Sequence, residues 1–228
     1  MPLEPDTDQA GLAPDRLLLP YRRAWLGWLL AGGVLLALVS VVLQMAKHRG
    51  WQPASLQLDR LLNVDEDLSV LNWLTASTFL VAALAAFAMR VRQHACRLYW
   101  LAVAGVLAFV SLDEAAGVHD PVSTNAEAQL RSGGVSAVGV LVVVAILGVI
   151  VVWAVLRMAP PVRWRVTGAF ALLFVAAVGI DALGADLTAD PAARLETGYV
   201  AKATLEEILE LGAAVLVLDG MLAAALKR

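Results

Sequence analysis

Three short acidic stretches contain the side chains that could do chemistry in this sequence. They are residues 111–120 (SLDEAAGVHD), 179–186 (GIDALGAD) and 205–210 (LEEILE), and each lies in or beside a long apolar run. An ionised side chain that faces lipid costs at least about 2.5–3.5 kcal/mol near the centre of a membrane helix. The sequence therefore predicts a carboxylate site enclosed by apolar helices.

The donor types in these stretches suit a metal. Carboxylates with one imidazole are a ligand set for a divalent cation such as Zn²⁺, Mn²⁺ or Fe²⁺. Glu207 and Glu210, three apart, share a helix face, whereas residues five apart, such as Glu114 and His119, do not. A break near Gly117 would be needed to bring those two together. We predict Glu114, His119, Glu207 and Glu210 as the metal ligands.

The chemistry of such a site has three open interpretations. In a metal-dependent membrane hydrolase, the metal would lower the pKa of a bound water, and Asp113 or Asp181 would be the catalytic base. Acids that cannot all ionise could instead bind and relay protons or cations. Lys202 could also make the acids a structural ion-pair network in a non-catalytic subunit of a membrane complex. The sequence leaves open whether the protein is an enzyme.

Expected partners follow from the same interpretations. They are the lipid bilayer, a lipid or small-molecule substrate and, for a translocator, further copies of the chain, because six spans leave little protein for two gates. A net charge of −3 gives no basic surface of the kind that nucleic-acid binding needs. Nucleic acid is therefore excluded as a partner.

The composition is that of a membrane protein. Of the 228 residues, 60% are hydrophobic and 16% charged, too apolar for a soluble domain of this length. A helix needs about 20 apolar residues to span a bilayer. We predict an all-α polytopic protein, with a cytoplasmic tail over residues 1–20 and one transmembrane domain over residues 21–228. Its six transmembrane helices cover about 25–45, 68–89, 97–118, 135–156, 164–185 and 199–226.

Positive charge predicts the orientation, because cytoplasmic segments carry an excess of Lys and Arg. With the N-terminus inside, 11 of the 17 basic residues fall in inner segments. We therefore predict that both termini are cytoplasmic, and that the acidic site faces the periplasmic side of the cell inner membrane. The eleven are Arg16, Arg22, Arg23, Arg90, Arg92, Arg97, Arg157, Arg163, Arg165, Lys227 and Arg228.

Depth in the membrane gathers the acids into one site. At a rise of about 1.5 Å per residue, Asn72, Asp113, Asp181 and Glu210 all lie about 21–26 Å from the inner ends of their spans. Spans two, three, five and six are therefore predicted to surround a common site, with spans one and four facing lipid. Asp219 lies deeper and is expected to pair with an inner arginine such as Arg157 or Arg163.

Several short elements resemble a group of bacterial six-span membrane proteins of unknown activity. They are Ser111–His119, Leu205–Gly212 and the lead-in Leu58-Asp to Asn63-Val. The resemblance implies a six-span membrane fold and no particular reaction. The chain departs from the membrane hydrolases that include the alkaline ceramidases, which use three histidines around zinc, since only His119 is suitably placed.

Overall fold

The computed structural model describes residues 14–53, 55–66, 69–116, 135–180 and 197–226. These residues are helical or form short links, and the predicted all-α class is confirmed. A 3₁₀ turn covers His94–Cys96, and a π-helical segment, Val175–Ile180, follows the sixth helix. The seven α-helices of this part of the chain are α1 Pro14–His48, α2 Leu56–Leu62, α3 Val70–Arg92, α4 Arg97–Ala116, α5 Val135–Arg157, α6 Pro160–Phe174 and α7 Thr197–Leu226.

Four helices are long and apolar enough to cross a membrane. Among the described residues these are Tyr21–His48, Val70–Arg92, Arg97–Ala116 and Thr197–Ala225. These four helices confirm the prediction of a membrane protein with transmembrane helices. Helix α5 covers the predicted position 135–156, and α6 covers the first part of the predicted position 164–185. Helix α1 begins at Pro14, so it includes the last part of the segment predicted as a tail, whose residues 1–13 lie outside the described residues.

Two serine hydroxyls fix the N-terminal end of α3. The Ser69 hydroxyl accepts a hydrogen bond from the Asn72 amide at 3.1 Å and so caps α3. The Ser40 hydroxyl of α1 accepts one from the Val64 amide at 3.1 Å, which ties the α2–α3 connection to α1. These bonds hold the start of α3 against α1.

Helices α3 and α7 form the centre of the bundle. Helix α3 packs against α4 and α7, and α7 also packs against α6 and α1. Among the largest fully buried side chains are Phe79 of α3 and Leu211, Leu218 and Met221 of α7. Helix α1, expected to be a lipid-facing brace, packs along α7 and buries Ser40 completely.

Close approach of α1 to α7 depends on Gly33. A Cβ atom there would overlap with Cδ2 of the fully buried Leu211 and lie 3.3 Å from Cδ1 of Leu71, whereas one at Gly32 would meet nothing within 4 Å. We expect Gly33→Ala to lower stability by about 1–3 kcal/mol through overpacking. Gly32→Ala should be neutral or stabilising, because alanine is the better helix former by up to about 1 kcal/mol. Equal thermal midpoints for the two variants in detergent would contradict this packing.

Three helices meet in an ion triad at the opposite end of the bundle. Oδ1 of Asp219 lies 3.0 Å from Nε of Arg22, and Oδ2 lies 2.5 Å from Nε of Arg165. The Arg22 side chain is 7% exposed and that of Asp219 is 19% exposed. The N-terminal part of α1, the start of α6 and the C-terminal part of α7 therefore lie together at one end.

The arginines nearest to Pro160 in the sequence are engaged elsewhere. Arg163 donates to the carbonyls of Leu156 and Met158 at 2.8 and 3.0 Å, where α5 ends. The guanidinium of Arg157 lies 4.7 Å from the ring centre of Trp153. Asp219 therefore pairs with two of the inner arginines, Arg22 and Arg165, and not with Arg157 or Arg163. Arg163 instead binds the carbonyls at the end of α5, and Arg157 contacts Trp153.

Candidate metal site

One hydrogen bond sets the height of α4 against α3. The Ser111 hydroxyl donates to the carbonyl of Ala76 at 2.8 Å. Glu114 lies three residues further along α4, about 4.5 Å. Because α3 and α4 run in opposite directions, Glu114 is level with the first turns of α3, where Asn72 and Thr75 lie.

A second contact sets the height of α7. Gly33 of α1 meets both Leu71 of α3 and Leu211 of α7, so these two leucines lie at one level. Glu210 immediately precedes Leu211, and Glu207 lies one turn earlier on the same helix face. The glutamates of α7 therefore lie at the same height as Glu114.

At this level the structure brings three carboxylates together. Glu114, Glu207 and Glu210 each offer one oxygen within 4.8 Å of the other two, and all three residues are half-buried. Oxygen ligands lie about 2.3–2.6 Å from Ca²⁺ and closer to Mg²⁺, so two oxygens on opposite sides of one ion are up to about 5 Å apart. The three oxygens can therefore contact a single divalent ion.

Several buried polar atoms have no hydrogen-bond partner in the part of the chain that the structure describes. Two of them lie at this level: Oε1 of Glu114 and Oγ1 of Thr75, a residue with no exposed surface. Buried polar atoms in native proteins are nearly always satisfied, and an exception indicates a water, an ion or a functional role. Glu114 thus has an oxygen available for a ligand inside the protein.

Two contacts lie near this cluster, toward the N-terminal end of α7. Lys202 lies 3.5 Å from Glu206, one turn along the same helix. The Tyr199 hydroxyl donates to Asp65 at 2.6 Å and links the start of α7 to the connection before α3. Three carboxylates in a half-buried site repel one another strongly when all are ionised. A cation or a proton bound among them would relieve that repulsion.

The structure brings together three of the four predicted metal ligands, Glu114, Glu207 and Glu210. The fourth, His119, and the predicted base Asp181 lie outside the described residues. Asp113 is half-buried beside Glu114 but is not one of the three clustered side chains. The depth expected for Asp181 assumed a regular helix, and the π-helical segment Val175–Ile180 departs from that rise.

Sequence reasoning missed how Ser111 positions the site. Its hydroxyl locks α4 to the α3 backbone one turn below Glu114. Small polar residues often hydrogen-bond across membrane helices. A serine three residues before an acid in an apolar helix was the signal that could have indicated this role.

The fold and the cluster define an α-helical membrane protein with a half-buried three-glutamate cluster. The chain belongs to a family described as a domain of unknown function (DUF8692), which matches residues 29–225. The match includes all three glutamates of the cluster. No curated protein and no solved structure matches the chain.

Proposed function

We propose that this protein is a six-span membrane protein that binds a divalent cation through Glu114, Glu207 and Glu210. The observation that carries the proposal is the approach of three carboxylate oxygens, from two helices, to within 4.8 Å of one another. The unsatisfied Oε1 of Glu114 supports it, because that atom is buried at the same site. A bound cation would balance the charge and complete the hydrogen bonding of the cluster.

The donor chemistry favours a hard cation. The clustered donors in the described part of the chain are all carboxylate oxygens, which suit Mg²⁺, Ca²⁺ and Mn²⁺. Of the three metals expected from the sequence, Mn²⁺ fits this set best. An imidazole from His119 would shift the preference toward Zn²⁺ or Fe²⁺.

Titration of the purified protein with Mn²⁺, followed by electron paramagnetic resonance of the free ion, tests the proposal. Glu207→Gln and Glu210→Gln should each weaken binding at least about 100-fold, because even outer-shell partners contribute about 10–100-fold. Glu66→Gln, an exposed acid on the connection before α3, is the matched control and should bind as the parent does. Equal affinities in all four proteins would rule out this metal site.

Two activities remain compatible with such a cation site. If the protein is a hydrolase, the metal would activate a water, and its proton would pass to Asp113, which immediately precedes Glu114 on α4, or to Asp181. If it is a proton or cation translocator, the glutamates carry the moving ion. Proton and Mn²⁺ flux into proteoliposomes separates the two, since only a translocator loses flux in Glu114→Gln.

The six-span topology has structural support beyond the four apolar helices. Helices α5 and α6 fill the two other predicted positions, and the ion triad joins the start of α1 to the end of α7. Arginines 90, 92, 157 and 163 lie at that same end of their helices. Positive charge at the cytoplasmic side therefore favours cytoplasmic termini and a periplasm-facing site in a bacterial inner membrane.

Labelling of Cys96 tests the orientation. It is the single cysteine of the chain, it is exposed, and it precedes α4 at the arginine-rich end. A membrane-impermeant maleimide should label it in inside-out vesicles and leave it unlabelled in right-side-out vesicles. A Glu66→Cys, Cys96→Ser variant is the control and should show the opposite pattern. Labelling of both cysteines from one side would contradict the topology.

A further inference from the structure

A cavity of about 690 Å³ opens at the arginine-rich end of the bundle. The start of α4, the end of α5, the start of α6 and the end of α7 surround it. One of its lining residues, Ala224, lies 14 residues after Glu210, about 21 Å along α7, so the cavity is separate from the glutamate cluster. Its volume falls in the range of about 300–1,000 Å³ that is typical of small-ligand sites.

Aromatic residues form a fixed wall of this cavity. The Tyr99 hydroxyl donates to the carbonyl of Ala154 at 3.2 Å, and the rings of Tyr99 and Trp153 lie 5.7 Å apart. The Trp100 indole N–H donates to the Gln93 side chain at 3.0 Å. Because these contacts join α4 to α5 and to the turn before α4, the wall does not depend on a ligand for its shape.

The charge of the cavity is positive. Arg97 and Arg157 line it, and in the part of the chain that the structure describes neither forms an ion pair and no carboxylate lines the cavity. The Arg157 guanidinium lies over the Trp153 ring, which leaves its N–H groups directed away from the ring face. Two guanidinium groups beside an apolar wall suit an amphipathic anion.

We propose that this cavity binds the headgroup of an anionic phospholipid from the adjacent leaflet. The phosphate contacts Arg97 and Arg157, because guanidinium groups bind phosphate oxygens in bidentate fashion. The acyl chains lie along the apolar side chain of Leu98, which lines the cavity and is 80% exposed. A lipid fits better than a soluble phosphate, since the cavity lies at the ends of membrane helices among interfacial aromatic residues.

Thermal denaturation of the full chain in detergent tests this site. Phosphatidylglycerol should raise the midpoint saturably, whereas phosphatidylcholine with the same acyl chains and soluble glycerol phosphate should leave it unchanged. Arg97→Gln and Arg157→Gln should each weaken the apparent affinity for phosphatidylglycerol about fivefold, and the double variant about 25-fold. Arg60→Gln, an exposed arginine of α2 at the other end, is the matched control and should respond as the parent does.

Three results would overturn the proposal. They are equal affinity in the parent and the double variant, an equal effect of glycerol phosphate, and a midpoint shift that occurs only with dimer formation. If Arg157→Gln unfolds because its contact with Trp153 is lost, Arg97→Gln still tests the site, since Arg97 is exposed and its apparent affinity for phosphatidylglycerol can be measured. Glu207→Gln should bind the lipid as the parent does, so the lipid proposal and the metal proposal are tested independently.

Discussion

Asp219→Asn is expected to lower the free energy of unfolding by about 3–5 kcal/mol. The substitution removes the charge that lies between Arg22 and Arg165, and Arg22 is only 7% exposed. Breaking a buried ion pair by removing one partner leaves an uncompensated buried charge, and the desolvation of that charge is no longer offset. Thermal or chemical denaturation of the purified protein in detergent measures the loss.

A triple variant separates charge balance from other effects of this substitution. Replacement of Arg22 and Arg165 by Met together with Asp219→Leu removes all three charges and should recover most of the lost stability. Glu66→Gln, which removes an exposed acid, should change stability by less than about 0.5 kcal/mol. A single Asp219→Asn variant as stable as the parent would show that the triad is not a stabilising contact between α1, α6 and α7.

Glu114→Gln is expected to make the protein more stable than the parent without metal and less stable than the parent with metal. Without metal, the substitution removes one of three repelling carboxylates and should raise the thermal midpoint. With Mn²⁺ at about 100 times its dissociation constant, the parent should gain about 2.7 kcal/mol, since only the folded protein binds. The variant should gain little, so the parent becomes the more stable protein.

This reversal distinguishes a metal site from a structural network. In an ion-pair network held together by Lys202, loss of an acid would destabilise the protein with and without metal. Glu206→Gln is the matched control on α7, because Glu206 already lies 3.5 Å from Lys202 and is not one of the three clustered side chains. A Glu114→Gln variant that is less stable than the parent in both conditions would support the network instead.

Positions along the helices could be predicted from the sequence because they follow from a fixed rise per residue. That reasoning placed Asp113, the neighbour of Glu114, level with Glu210, and the structure brings Glu114 and Glu210 to one cluster. The three-residue spacing of Glu207 and Glu210 likewise predicted their common face. Height and local periodicity are properties of single helices, and the sequence contains both.

Rotation and pairing of the helices were not predictable in the same way. Several arginines share the depth of Asp219, and only packing against α7 selects Arg165 over Arg157 and Arg163. The span of α1 is apolar apart from Ser40 and Gln44, both buried, so hydrophobicity alone did not identify its packed face. The adjacent residues Gly32 and Gly33 were the small-residue signal for that contact. They lie on different faces of α1, and only the position of the neighbouring helix shows that Gly33 is the one at the contact.

The metal content of the purified protein tests most directly whether the glutamate cluster binds a cation. The parent and the double variant Glu207→Gln, Glu210→Gln would be purified from membranes without added metal or chelator and analysed for their elements. The cluster predicts about one divalent ion per chain in the parent and almost none in the double variant, because the variant keeps one of three carboxylate ligands. A parent without metal, or the same content in both proteins, would contradict a cation site at these glutamates.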